Sequence, residues 1–404
     1  MLQTIIHRLL QRRHFWRYAS FDEVAELYAS RMMRLLAQFM INLFITLYLY
    51  QHGYSILFIS IYFAISFGFR AIIAYPAARY IARFGPKHGI LIGNLLYIPA
   101  LICFTMVPHI GVAAIALFGF FQSISMVIYD LSYLVDFSKV KHVLHAGKEI
   151  GYMQILERLT ASLSPLIGGL IAFLIAPEAT MVLAAILFAF ASIPLMRTSE
   201  QTKLHQKLDF RGFPWRATWR SVVAETAVGF DTFASNGVWV LFLTVVVFTG
   251  SSNDIYLKIG AFASVTAVTS FVAAYAFGRV IDWRRGKDLL RIATVANAMT
   301  HLFRPFVNAP AGIIAANITN EIATTGYSMA YMRGIFDAAD NSGHRIVYLF
   351  FISVAMNFGA MLACLTLAAL IMVLPSVTLA MQTFFVVAGL YVLLILGSRF
   401  NLYR

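Results

Sequence analysis

Residues 54–78 read YSILFISIYFAISFGFRAIIAYPAA, and the only charge among them is Arg70. A helix that crosses a bilayer needs about 20 apolar residues, because each residue rises about 1.5 Å through a hydrocarbon core about 30 Å thick. This stretch meets that length. Upstream lies the polar break Gln51-His52-Gly53, and before it a second apolar block over 27–50. Downstream the chain runs into RYIARFGPK at 79–87, which is basic, and a third block follows over 88–107. The alternation continues with spans over 111–136, 150–176, 179–197, 220–249, 255–281, 288–307, 310–333, 346–373 and 376–398. The expected fold is an all-α membrane protein with twelve transmembrane helices.

Composition excludes other classes. Of 404 residues, 60% are hydrophobic and 12% are charged, and the mean hydropathy is +0.77. A soluble domain carries about a quarter charged residues. The net charge of +13 does not gather into one patch, so no nucleic-acid partner is expected. Cys103 and Cys364 sit in apolar runs and read as small packed hydrophobes. No G-x-x-x-x-G-K-[ST] loop occurs, since Gly147-Lys148 and Gly286-Lys287 are followed by Glu149 and Asp288. The chain therefore lacks the loop that cradles ATP phosphates. Neither a catalytic triad nor a metal-ligand set stands out, and His142 and His145 read as a solvated loop pair. The expectation is a non-enzyme with no cofactor and no metal.

Lysines and arginines set the orientation. Twenty-five of 31 fall in the N-terminal arm, the even-to-odd connections or the C-terminus, and only Lys258 lies near the other side. Basic loops stay cytoplasmic, which places both termini inside a plasma (inner) membrane. Residues 1–26 set Ile5, Ile6, Leu9 and Leu10 against Arg8, Arg12, Arg13 and Arg17, the pattern of an amphipathic arm lying on an anionic leaflet. An Arg-rich presequence is the alternative. The longest connection, 198–219, holds Gly212 and Pro214 and divides six spans from six. The expected units are the arm, a six-helix bundle over 27–197, the linker 198–219, and a second bundle over 220–404. The halves echo each other: AYPAARYIARFGPK at 74–87 and AYAFGRVIDWRRGK at 274–287 share five of fourteen positions. Parallel repeats of this kind build two-bundle transporters.

These segments resemble the G-x-x-x-D-R-x-G-R-K loop that follows the second helix of each half in the major facilitator superfamily. In the second half Gly278 and Asp282 match, and Gly286-Lys287 follow after one extra residue. In the first half Arg83, Gly85 and Lys87 match, while Ala78 and Ala82 replace the glycine and the aspartate. The resemblance implies a gate on the cytoplasmic side. Ser164-Pro165-Leu166-Ile167-Gly168-Gly169 resembles the tail of the G-P-x-x-G-G motif of proton-coupled drug antiporters. The fourth-helix arginine of those antiporters is absent, with Gly119 in its place.

Charges buried in spans carry the functional reading, since each costs about 3 kcal/mol at a helix centre. Arg34, Gln38, Asn42 and Thr46 recur every four residues beside Arg31, a polar stripe down the first span. Gln122 and Asp130 share a face of the fourth span. The seventh carries Glu225, Asp231 and Asn236, and the tenth carries Asn317 and Glu321. In the family resembled, helices one, four, seven and ten line the cavity. Asp231, Glu321, Glu225 and Asp130 are the proton-coupling candidates. Arg34, Gln38, Asn42, Gln122, Asn236, Asn317, Arg31 and Arg70 are the substrate-cavity candidates. Structural pairings are the rival reading: Asp130 with Arg34, and Glu157 with Arg158 or a neighbouring helix. The expected function is secondary active transport of a small organic solute by alternating access. Proton-coupled efflux of an amphipathic or drug-like compound is preferred, and proton-coupled import of an organic anion or nutrient is the alternative. A non-transporting receptor or lipid scramblase is a third reading. The expected partners are the solute, protons and the lipid bilayer, with a monomer as the functional unit.

Overall fold

The structure is a computed structural model that describes residues 21–140, 146–194, 208–248, 254–282, 285–400 and 402. Its helices, in chain order, are α1 (Phe21–Gln51), α2 (Ile56–Phe84), α3 (Pro86–Thr105), α4 (Val112–Val140), α5 (Ala146–Leu174) and α6 (Pro177–Ser192). After residues 195–207 come α7 (starting with Trp215–Phe233), α8 (Asp254–Asp282), α9 (Gly286–Phe303), α10 (Pro310–Asn341), α11 (Arg345–Val373) and α12 (Val377–Val392). A short turn, Val107–Ile110, joins α3 to α4. Each long helix falls on one predicted span. Eight are long and apolar enough to cross a membrane by their own composition, and the described parts of α5 and α6 are shorter apolar helices.

Local signals place the ends. Gly85 adopts φ 92°, a left-handed conformation that glycine reaches without strain, and Pro86 starts α3 immediately after it. Pro177 and Pro310 open α6 and α10 in the same way. The Ser55 and Ser376 hydroxyls cap α2 and α12 by accepting from Phe58 N–H and Leu379 N–H. Several helices overrun the spans read from sequence, among them α1, which begins at Phe21 inside the expected arm 1–26. α2 continues through Phe84 and α10 through Asn341, because polar residues at a membrane surface do not stop a helix that has no breaker. α7 is not regular: π-helical segments over Ala234–Val238 and Leu243–Val247 flank a turn of α-helix at Trp239–Phe242.

Within the first half α3 packs on α4, and α1 lies against α5 and α6; within the second, α9 packs on α10 and α7 on α11. The halves meet along two seams, α5 with α8 and α2 with α11. Glycine makes the first seam possible. A Cβ on Gly169 would stand 2.6 Å from the Tyr256 carbonyl oxygen, and one on Gly260 would meet the carbonyl of Pro165. Distances of this kind mean backbone against backbone.

On the side away from the linker both halves contribute to one apolar core. Phe233 of α7 sits edge-on to Phe67 of α2, with centroids 5.8 Å apart, and 5.5 Å from Phe63. On the linker side Phe336 of α10 is buried with Ile90, Tyr129 and Tyr133 of the first half. Aromatic layers thus join the halves above and below the middle of the molecule.

Candidate functional site

Two buried polar networks occupy that middle, one in each half. In the first half, Arg70 on α2 donates from Nη2 to Gln122 Oε1 of α4 at 2.9 Å, and from Nε to Ser123 Oγ at 3.4 Å. Gln122 Nε2 donates to Tyr97 Oη of α3 at 2.9 Å, and Tyr97 donates to Asn42 Oδ1 of α1 at 3.1 Å. One chain of hydrogen bonds therefore crosses four helices. Nearby, Arg34 Nη1 donates to Asn94 Oδ1 at 3.0 Å, and its guanidinium lies 3.7 Å from the centre of the Tyr129 ring.

The first-span stripe accordingly turns inward. Arg34 is fully buried among α3 and α4, so it lies in the wall of the bundle and not on the cavity surface, as does most of Gln122. Gln38 and Asn42 are half-buried. The rival reading, a pairing of Asp130 with Arg34, is not the one seen. Asp130 lies 4.0 Å from Arg31, and Arg34 has no carboxylate within 4 Å among the described residues. Arg31 also binds Glu157 Oε1 of α5, at 2.9 Å from Nη2 and 3.0 Å from Nε. Glu157 thus finds its partner on a neighbouring helix. Rotation explains the swap: Arg31 sits three residues before Arg34, roughly 60° away around α1, and meets the face that Asp130 presents.

In the second half Asp231 of α7 is the hub. Its Oδ1 accepts from Ser235 Oγ at 3.1 Å and stands 2.6 Å from His301 Nε2 of α9, and its Oδ2 accepts from Tyr327 Oη of α10. Arg304 Nη1 lies 3.1 Å from His301 Nδ1 and 3.2 Å from Ser235 Oγ. An arginine can only donate, so His301 Nδ1 accepts and Nε2 carries the hydrogen towards Asp231. Asp231, His301 and Arg304 are all almost completely buried. Asp231 is therefore not an isolated carboxylate, and its three donors come from three helices. Sequence reading missed His301 and Tyr327. The available signal was spacing: Asn297, His301 and Arg304 fall on one face of α9 at i, i+4 and i+7.

The other candidates surround this hub. Asn317 Oδ1 accepts from Trp239 Nε1 at 2.7 Å, and Asn320 Oδ1 lies 3.2 Å from Ser235 Oγ, whose single hydrogen is shared between it and Asp231. Glu321 is half-buried and interacts electrostatically with Arg304. Glu225 is buried four turns of chain towards the linker from Asn317's partner Trp239, and its Oε2 has no hydrogen-bond partner among the described residues. Asn236 is exposed. Around α7, Gly229 touches Met356 of α11, Phe230 stacks on Phe384 and Tyr391 of α12, and Asp231 and Ser235 face α9 and α10. The remaining arc carries Thr232, which is half-buried, and Asn236, which is exposed.

The Major Facilitator Superfamily model matches residues 27–363. The chain belongs to the major facilitator superfamily. No protein of curated function matches it. Among solved structures, the human organic anion transporter MFSD10 is similar at 13% identity with a TM-score of 0.69, over 93% of this chain and 99% of that one. The E. coli fucose:proton symporter FucP is similar at 16% identity with a TM-score of 0.65, over 93% and 98%. A POT family transporter in complex with 5-aminolevulinic acid gives 12% and 0.68, over 92% and 94%. At these identities the likeness is one of fold.

The superfamily loop residues are partly placed. Gly85 forms the α2–α3 corner, Gly278 is buried, and Arg83 and Lys287 are exposed. Lys87 is half-buried beside the same corner. Asp282 ends α8, and its side chain lies outside the described residues, as do that of Arg158, the arm residues 1–20 and the pair His142 and His145. The fifth-helix motif has a packing role. A Cβ on Gly168 would come 2.5 Å from the Met40 carbonyl of α1, and Pro165 and Gly169 form the α5–α8 seam.

Proposed function

We propose that this chain is a proton-coupled secondary transporter of a small organic solute, in which Asp231 and His301 together hold the transported proton. The observation that carries the reading is the 2.6 Å contact between His301 Nε2 and Asp231 Oδ1, inside α7, α9 and α10. A carboxylate and an imidazole in contact share one proton between two acceptors, so a small change in solvation or geometry moves it. Asp231 lies about 24 Å along α7 from Trp215, near the middle of a rod about 50 Å long. Ser235 links the pair to Asn320 on α10. Arg304 presses on the far nitrogen of the imidazole. Rearrangement of α7 against α9 and α10 would change all of these contacts at once.

The fifth-helix motif, which resembles that of drug antiporters, does not decide between export and import. Close packing of Pro165, Gly168 and Gly169 accounts for those residues whichever way the solute moves. The reading therefore keeps the coupling and leaves direction to experiment. By the charge bias, the linker side is proposed to face the cytoplasm of a plasma (inner) membrane.

The test uses purified protein in proteoliposomes loaded with a pH-sensitive dye. Solutes added outside should change internal pH, and an imposed pH gradient should drive labelled solute uphill. The sign of the gradient that does so gives the direction. Solute flux that ignores the proton gradient, with no dye response, would overturn the proposal.

A further inference from the structure

We propose that Arg70 is the anchor for an anionic group on the transported solute, so that the substrate class is a small organic acid bearing a carboxylate or phosphate. The inference rests on the reading of this chain as a solute transporter and is independent of proton coupling.

Three arginines are buried in the middle of the molecule, and their surroundings differ. Arg34 is fully enclosed, with its guanidinium bonded to Asn94 and set against Tyr129. Arg304 is 1% exposed and bound to His301, which in turn meets the Asp231 carboxylate, so its charge has a counter-charge within the same network. Arg70 has neither form of closure. Its contacting partners are Gln122, Ser123 and the face of Phe67, all neutral; no carboxylate lies within 4 Å among the described residues, and Asp130 acts on it only from farther away. Two of its nitrogens are committed to α4, and Nη1 makes no hydrogen bond there.

Position adds a second observation. Arg70 follows Phe67 by one turn of α2, on the linker side of the Phe63–Phe67–Phe233 layer that joins the halves. Asp231 and Thr232 precede Phe233 on α7, so they lie on the same side of that layer as Arg70. Leaving a permanent cation without a counter-charge in contact at this depth is costly. Neutral hydrogen bonds fix its direction but do not cancel its charge. An incoming anion would supply the missing charge through Nη1, and its apolar part would rest on Phe67 and Phe233. Because Gln122 and Ser123 already hold the guanidinium, little ordering remains for the ligand to impose.

The test is thermal stabilisation of the purified full chain by paired probes with no gradient present. The pairs are benzoate with benzamide, succinate with succinamide, glucuronate with glucose, and glycerol 3-phosphate with glycerol. At least one acid should raise Tm by about 3 °C while its neutral partner does not. Arg70→Gln should remove that rise, and Arg70→Lys should keep part of it. If Arg70→Gln does not fold, Gln122→Glu decides: an internal carboxylate on Arg70 should keep the fold and abolish stabilisation by the acid. Equal stabilisation by acids and neutral partners, no stabilisation by any acid, or an unchanged rise in Gln122→Glu would each overturn the inference. Stabilisation by an acid that is then carried without proton movement would instead sink the coupling proposal and leave Arg70 in its role.

Discussion

In the first half, Arg34 and Arg70 are held by amides, hydroxyls and aromatic faces. In the second half, Arg304 reaches a carboxylate through an imidazole. Both arrangements hold a buried guanidinium in place, yet they differ in what can change. The amide and hydroxyl partners of the first half do not titrate, so the charge they hold is constant. An Asp–His pair can gain or lose a proton, so the charge of the second network can vary while its geometry stays close to fixed. A fixed positive charge suits holding a solute. A variable one suits coupling.

The comparison breaks most severely at Asp231. Asp231→Asn keeps the shape of the hub and removes its charge, so gradient-driven accumulation should fall to the level of empty vesicles while solute exchange without a gradient continues. Accumulation at the wild-type level would make the second network as inert as the first. His301→Gln comes next. Glutamine can still donate to Asp231 but carries no proton, so transport should lose its response to the pH gradient while keeping its response to a solute gradient. A variant that responds to both would leave the proton on Asp231 alone.

On the other side of the comparison, Asn94→Leu deprives Arg34 of its 3.0 Å acceptor. A buried hydrogen bond to a charged group is worth about 1.5–3 kcal/mol, so Tm should drop measurably while the ratio of solute to proton flux is unchanged. A changed ratio would mean that the first half also couples. The smallest effect is expected for Trp239→Phe, which deletes a neutral 2.7 Å bond to Asn317 at a cost of about 1 kcal/mol. Loss of coupling in that variant would extend the titrating network beyond the Asp231 hub.

How far the site was legible follows from the geometry of helices. Hydropathy located the long helices, because length and composition alone decide whether a helix suits a bilayer. The stripes on α1, α7 and α10 identified the polar faces, because a face is a property of one helix. What one helix cannot reveal is which neighbour its face meets. Arg34 and Asp130 looked like partners by depth, yet the packing of α1 against α4 gives Asp130 to Arg31. Asn94, which holds Arg34, stands alone in an apolar stretch of α3 and carries no periodic signal. His301 was passed over because α9 was not among the four helices expected to line the cavity, although its spacing to Arg304 marked a shared face.

The π-helical segment Ala234–Val238 has a further consequence for α7. A π-turn closes its hydrogen bond over five residues, one more than an α-turn, so everything beyond it is advanced by one residue in the helical phase. In an unbroken α-helix Trp239 would point about 80° away from Asp231; with one residue taken up by the π-turn the two come within about 20° of a common meridian. That is why the indole reaches Asn317 on the same helix, α10, that supplies Tyr327 to Asp231. Deleting a single residue within 234–238 should therefore remove the π-turn yet leave the indole about seven residues beyond Asp231, so that it keeps its bearing on α10 to within about 20°.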